Sequence, residues 1–284
     1  MNAPPATLPG LAALVQSFDV FLLDQFGVLH DGQKPYPGAV EALLRLKEAG
    51  KRVALLSNSG KRAGPNEERL RRLGFPDGLW DVFLSSGELA WRVFSGFEGE
   101  PALQAGMRCL LIARDGDPSA VDGLDMALVE DGASAKLVLI SASEGDRFPL
   151  EHYSDLLAPA ARAGAPAVCT NPDKVMLTAS GPRFGAGRIA ELYEELGGTV
   201  RWIGKPHLDI YRAALAHLGD PAPNTVLCIG DSVEHDIAGA RGAGLAAALV
   251  RSGIHADLEG DGLEAEFFRH RARPDFILTR FAWD

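Results

Sequence analysis

Apolar runs and amphipathic stretches alternate at the start of this chain. Residues 19–23 carry Val20-Phe21-Leu22-Leu23, a continuous apolar run that stops at one carboxylate, Asp24, with Gly27 three residues on. A run without polar alternation predicts a strand buried on both faces, as in a parallel sheet. Gly32, Pro35 and Pro37 then predict an exposed flap over 27–37. From Gly38, Val40, Leu43, Leu44 and Lys47 fall at three- and four-residue spacing and predict a helix that Gly50 stops. Residues 53–56 are a second apolar run, ending at Ser57, and 65–73, closed by Gly74, predict a short helix charged on one face. Strand, helix, strand, helix is the order of a doubly wound parallel sheet.

The pattern then changes. Residues 108–113, 126–130, 136–141 and 166–170 are strand-like, and 84–94 and 149–163 are helical. This section is too long for a loop and predicts a second α/β unit set into the first. After Gly185 the first pattern resumes, with helices expected at 189–196, 208–218 and 236–243 and strands at 200–203, 225–229, 246–250 and 275–278. The expected division is a core of residues 1–84 and 194–284 with an insert of 85–193.

Composition narrows the classes. With 46% hydrophobic and 23% charged residues, the chain has an ordinary soluble composition. A formal net charge of −10 argues against nucleic-acid binding, but not against a small anionic substrate, since a lysine and a metal can reverse the sign inside a cleft. Cys109, Cys169 and Cys228 are far apart and lack metal-ligand spacing, which suits reduced thiols in a cytoplasmic protein. Residues 1–10 show no basic start followed by an apolar core, so no signal peptide is expected, and no run is long enough to span a membrane.

Four stretches carry candidate chemistry, each near the end of an apolar run: Asp24; Ser57-Asn58; Gly204-Lys205-Pro206; and Gly230-Asp231-Ser232 with Asp236. A carboxylate, a hydroxyl, a lysine and an acidic pair are the groups that a site for a phosphate and a divalent cation needs. Each has a plainer reading alone. Asp24 can cap the next turn, Asp236 can be a helix N-cap, Ser57 and Asn58 are common turn residues, and Lys205 suits a solvated loop. Asn171-Pro172-Asp173 reads alone as a turn. Gly185-Ala186-Gly187-Arg188-Ile189-Ala190 matches the loose form of a dinucleotide fingerprint, but no clean strand precedes it and no βαβ unit surrounds it.

As an ordered set, the four stretches resemble the haloacid dehalogenase (HAD) superfamily of aspartate-nucleophile phosphohydrolases. The length between the second and third resembles its class IIA branch, which holds p-nitrophenylphosphatase-like, sugar-phosphate and nucleotide phosphatases. The resemblance runs from Asp19 to the last expected strand and implies a HAD-like Rossmannoid core with an inserted α/β cap covering the carboxyl ends of the core strands. It implies Asp24 as nucleophile, assisted by Lys205, with Ser57, Asn58 and Lys205 holding the phosphoryl group. It also implies Mg²⁺ held by Asp24, the backbone carbonyl of Phe26, Asp231 and Asp236, and a substrate-facing cap loop at Asn171 and Asp173. A homodimer formed through the cap is a further family expectation.

One position departs from the pattern. The family usually has Asp-x-Asp, the second Asp protonating the leaving oxygen and later activating water, and this chain has Phe26 there. The expected activity is therefore Mg²⁺-dependent hydrolysis of a small phosphorylated metabolite, slow or selective for good leaving groups. His30 and Asp31 are the nearby substitutes as proton carrier. The rival reading is a phosphate-ligand binding or regulatory protein that kept the fold and metal site. Carbon–halogen hydrolysis needs no metal, so Asp231 and Asp236 argue against it.

Overall fold

The uninterrupted apolar runs become the inner strands of two parallel sheets. The computed structural model describes residues 4–98, 102–178 and 181–284, so the first three residues of the Pro- and Ala-rich start lie outside the described residues. In chain order the elements are β1 (Ala6–Leu8), β2 (Val20–Asp24), α1 (Ala39–Glu48), β3 (Arg52–Ser57), α2 (Ala63–Arg72), β4 (Val82–Ser85) and α3 (Ser86–Phe94). Then come β5 (Met107–Ile112), β6 (Met126–Val129), β7 (Leu137–Ile140), α4 (Leu150–Arg162), β8 (Ala167–Cys169), β9 (Val175–Thr178), β10 (Gly181–Phe184), α5 (Ala186–Glu195) and β11 (Val200–Trp202). The chain continues with α6 (Leu208–His217), β12 (Val226–Gly230), a π-helical turn (Val233–Ile237), α7 (Ala238–Gly242), β13 (Ala246–Val250), α8 (Gly260–Arg269) and β14 (Phe276–Leu278).

Two compact units result. One comprises 1–57, 67–84 and 205–284, the other 58–66 and 85–204. The first holds a seven-stranded sheet in the order β1-β14-β13-β12-β2-β3-β4, and its pairs from β1 through β3 run parallel. The second holds a parallel sheet in the order β11-β8-β7-β5-β6 and the antiparallel hairpin β9–β10. Among the described residues, no helix is long and apolar enough to cross a membrane.

The expected doubly wound α/β class is present, with local differences. β11 was expected to return the chain to the first sheet; it pairs instead with β8 in the second, and that unit runs to Gly204 rather than 193. A three-residue strand carries too little pattern to say which sheet it joins. The strand β4 lay hidden at the head of an expected helix, because Ser85 both ends the strand and caps α3, its hydroxyl accepting from the Glu88 N–H at 3.0 Å. β1, the β9–β10 hairpin and α8 were not anticipated; glycine and proline in or beside the last two mask their periodicity. The flap is not exposed throughout: Val28, Leu29 and His30 are fully buried, and the loop closes on itself through the Gly27 N–H to the His30 carbonyl at 3.0 Å and the Tyr36 N–H to the Leu29 carbonyl at 2.9 Å.

β2 is central in its sheet, and Val20, Phe21, Leu22 and Leu23 are each at most 2% exposed. Leu22→Ala is expected to destabilise the first unit by about 2–5 kcal/mol, because a central strand cannot collapse into the gap. A urea titration reads this as a lower midpoint; a loss below ~1 kcal/mol would contradict the central placement.

Candidate active site

Strand order and register bring the candidate groups of the first unit to one edge. β2 lies between β12 and β3, with Leu23 opposite Ile229 and Asp24 opposite Leu56. Asp24 at the end of β2, Ser57 at the end of β3 and Asp231 just past β12 therefore share the carboxyl edge. From β2 the sheet grows one way through β3 and β4, while β12, β13 and β14 lie on the other side. That reversal is where open α/β sheets place their ligands, since the flanking connections part there.

Asp24, Asp231 and Asp236 each offer a carboxylate oxygen within 4.8 Å of the other two. Lys205 Nζ donates to Asp24 Oδ1 at 2.6 Å and to Asp236 Oδ1 at 2.7 Å, and Lys205 is only 4% exposed. Burial raises the Asp24 pKa to about 7, with Lys205 opposing the shift and Asp236 adding to it. Burial, together with the charges of Asp24 and Asp236, pushes Asp231 well above the usual carboxylate range. The two carboxylates around Lys205 hold its ammonium protonated against burial.

Small local devices hold these carboxylates. Asp231 Oδ2 accepts from the Ile254 N–H at 2.8 Å. A Cβ on Gly27, whose φ is +86°, would lie 2.1 Å from that oxygen, and one on Gly253 would lie 1.8 Å from it. Asp236 Oδ2 accepts from the Ser232 N–H at 3.0 Å, and a Cβ on Gly230 would lie 2.0 Å from Asp236 Cγ. Ser57 Oγ accepts from Gln25 Nε2 at 2.7 Å. Ser232 lies in a stretch that the sequence singles out, whereas Gln25, Gly253 and Ile254 are not marked there as site residues; the available signal is glycine near each carboxylate stretch.

The donor set fits a hard divalent cation. It is built of carboxylate oxygens, the type Mg²⁺ prefers, and the three carboxylates, once all are ionised, leave two negative charges against the one ammonium in a buried space. Phe26, which would add its carbonyl, turns a 40% exposed ring edge-on to His30 at 5.6 Å. His30 is buried, its Nδ1 accepts from the Gly32 N–H at 2.9 Å, and burial lowers its pKa to about 4, so the ring is neutral near pH 7. Asp31 is used by its own turn, accepting from the Gln33 and Lys34 N–H groups at 2.8 and 2.9 Å.

Asn58, Asn171 and Asp173 belong to the second unit. The Asn58 Nδ2 donates to Asp173 Oδ1 at 2.8 Å. The glycines of 185–187 form no phosphate loop. A Cβ on Gly185 would lie 2.1 Å from the Asp173 carbonyl oxygen, and one on Gly187 2.2 Å from that of Pro172, so these glycines seat the 171–173 turn.

Comparison with known proteins points one way. A family described as haloacid dehalogenase-like hydrolase matches residues 21–127, and one described as HAD-hydrolase-like matches 202–283. D-glycerol 3-phosphate phosphatase of Mycobacterium tuberculosis is 29% identical over 94% of this chain and 71% of its own length. The p-nitrophenyl phosphatase of Archaeoglobus fulgidus superposes with a TM-score of 0.72 at 26% identity, covering 93% of this chain and 97% of that one. A glycerol phosphate phosphatase from Mycobacterium tuberculosis, solved in complex with magnesium, gives 0.73 at 26% identity, covering 94% and 77%.

The raised Asp24 pKa has a thermodynamic consequence. Between the ordinary value of 3.8 and about 7, the folded chain holds a proton on Asp24 that the unfolded chain has released. Stability therefore falls as pH rises through that window and levels above it. With divalent metal chelated, thermal melts across this range should show the decline, and Asp24→Asn should make it shallower, the raised Asp231 leaving a residual slope. An equal slope in both proteins would refute the assignment.

Proposed function

This chain belongs to the haloacid dehalogenase-like hydrolases, and we propose that it is a Mg²⁺-dependent phosphatase hydrolysing a small phosphorylated metabolite through an aspartyl phosphate on Asp24. The observation that carries this reading is the buried set of Asp24, Asp231 and Asp236 around Lys205 at the switch point of a parallel sheet. The relatives named above are phosphatases, and one of them was solved with magnesium.

Asp24, Asp231, Asp236 and the Phe26 carbonyl are the groups that would hold Mg²⁺, which when bound supplies positive charge against the carboxylates and the phosphoryl oxygens. Lys205 orients the Asp24 carboxylate and adds a fixed charge for the phosphoryl group, while the Ser57 hydroxyl offers a hydrogen bond. An Asp24 oxygen forms a bond to phosphorus as the bond from phosphorus to the leaving oxygen breaks, and the leaving group departs with that electron pair. Water then attacks the phosphorus, restoring the carboxylate and releasing phosphate. The first unit serves as the catalytic core and the second as the substrate-selecting cap, with Asn171 and Asp173 in its substrate-facing loop.

Phe26 sets the limit on this chemistry. A phenyl ring neither donates a proton to the leaving oxygen nor activates water, and such transfers are worth ~10²–10⁴-fold. Aryl phosphates, whose leaving groups need no proton, are the favoured substrates, and alkyl phosphates such as glycerol 3-phosphate turn over slowly. Phe26 also favours the second reading, a protein that binds phosphate esters without hydrolysing them.

One assay separates the two. Release of p-nitrophenolate from p-nitrophenyl phosphate that requires Mg²⁺ and disappears in Asp24→Asn supports the phosphatase; binding of the ester without release supports the binding protein. For the phosphatase, Phe26→Asp should raise turnover of glycerol 3-phosphate by ~10²-fold or more and leave p-nitrophenyl phosphate nearly unchanged. No gain on the alkyl ester, with Mg²⁺ still bound, would remove the missing proton carrier as the explanation of a slow rate.

A further inference from the structure

The loop that follows β13, residues 251–258, grips three separate parts of the carboxylate cluster's surroundings, all of them within the first unit. Ser252 Oγ donates to the Gly27 carbonyl at 2.7 Å. The Ile254 N–H donates to Asp231 Oδ2 at 2.8 Å, and a Cβ on Gly253 would overlap that same oxygen. His255, which is buried, accepts the Val233 N–H on Nε2 at 3.4 Å, at the head of the π-helical turn that carries Asp236. Arg251 closes the loop on itself. Its N–H donates to the Leu278 carbonyl at 3.0 Å, and its guanidinium donates to the carbonyls of His255, Ala256 and Leu258.

The Ser252 bond answers a weakness at Gly27. Glycine is required there, because φ is +86° and a Cβ would lie 2.1 Å from Asp231 Oδ2. Glycine is also the residue that least restrains the two peptide planes on either side of it. One plane carries the Phe26 carbonyl and the Gly27 N–H; the other carries the Gly27 carbonyl. In a trans peptide the carbonyl and the N–H point to opposite sides. Anchoring the Gly27 N–H on the His30 carbonyl, at 3.0 Å, therefore also directs the Phe26 carbonyl. Ser252 anchors the second plane, and the two rotations about the Gly27 Cα are then set. A serine just past a strand is more often a turn residue that bonds its own backbone. This hydroxyl instead reaches a carbonyl 225 residues away along the chain.

We propose that Ser252 is a positioning residue for the cation site: by pinning the Gly27 carbonyl it fixes the direction of the neighbouring Phe26 carbonyl. The inference rests on the Mg²⁺ reading of the site, since that reading assigns the Phe26 carbonyl to the ion. A backbone ligand is not steered by its own side chain, and at this position the side chain is a phenyl ring. Control has to come from the groups that anchor the adjoining peptides. The consequence is selectivity among cations. Mg²⁺ demands near-ideal octahedral geometry at short distances, whereas Ca²⁺ accepts a flexible, irregular shell of oxygens. Loosening one ligand therefore penalises Mg²⁺ more than Ca²⁺.

The test uses the full chain and two variants, Ser252→Ala, which removes the donor, and Ser252→Thr, which keeps it. Calorimetry reads the affinities for Mg²⁺ and Ca²⁺, and amide hydrogen exchange in the metal-free protein reads Gly27 and Ile254. In Ser252→Ala, Mg²⁺ affinity is expected to fall by roughly fivefold or more, with a smaller loss for Ca²⁺. Exchange at Gly27 should quicken while exchange at Ile254 stays as it was, and Ser252→Thr should recover the native behaviour. Equal losses for the two ions would overturn the proposal, as would a Ser252→Thr variant no better than Ser252→Ala. Faster exchange at Ile254 as well as Gly27, with both affinities lowered alike, would show a loosened loop and overturn it too. If the native chain binds neither ion, the Mg²⁺ reading itself has failed and the cation role of Ser252 falls with it; exchange at Gly27 then decides the pinning of the peptide by itself.

Discussion

Two short bonds from one buried ammonium, Lys205 to Asp24 and Lys205 to Asp236, are the constraint around which the first unit is organised. Taking an ion out of water costs several kcal/mol even after relaxation, and like charges in one buried space add to that. Lys205 offsets part of this for two of the carboxylates, and backbone N–H groups of Ile254 and Ser232 hold Asp231 and Asp236. The remainder is unbalanced negative charge, which a divalent cation is suited to offset. On the proposed reading, a bound cation would relieve this imbalance and prepare the site for a phosphoryl group.

Glycine is the device that lets such groups approach. Asp231 lies between Gly27 and Gly253, and Asp236 against Gly230, because any Cβ would occupy the space of a carboxylate. The second unit uses the same solution for a different purpose: Gly185, Gly187 and Gly204 admit the backbone and side chains of the 171–173 turn. A pattern that resembles a dinucleotide loop in one dimension is thus a packing notch in three. The physical distinction is what faces the glycines: carbonyl oxygens of the chain itself rather than a pyrophosphate.

Phe26 separates two contributions that phosphoryl transfer usually combines. On the proposed reading, Asp24, Lys205 and the acidic pair supply the charges that would position and stabilise the phosphoryl group, while Phe26 stands where that reading needs a proton carrier. Neither neighbour offers an obvious replacement, since Asp31 is bound into its own turn and His30 is buried as a neutral ring. Because phosphoryl transfer relies chiefly on positioning and electrostatics, loss of the acid restricts the range of leaving groups more than it removes the reaction.

Much of this was legible from residues alone. The runs at Val20–Leu23 and Val226–Ile229 are apolar without alternation because both faces of a central parallel strand are covered, and their ends marked Asp24 and Asp231 before any coordinates. Residue type and position thus decided the α/β class and the carboxylates that converge. Local sequence could not decide pairings that depend on distant partners: β11 joins the second sheet, and β4 hides at the head of a helix. Nor could it say where the Ser252 hydroxyl turns, since that depends on Gly27, far away along the chain. Burial pattern is written into each segment, whereas register and side-chain direction exist only after segments meet.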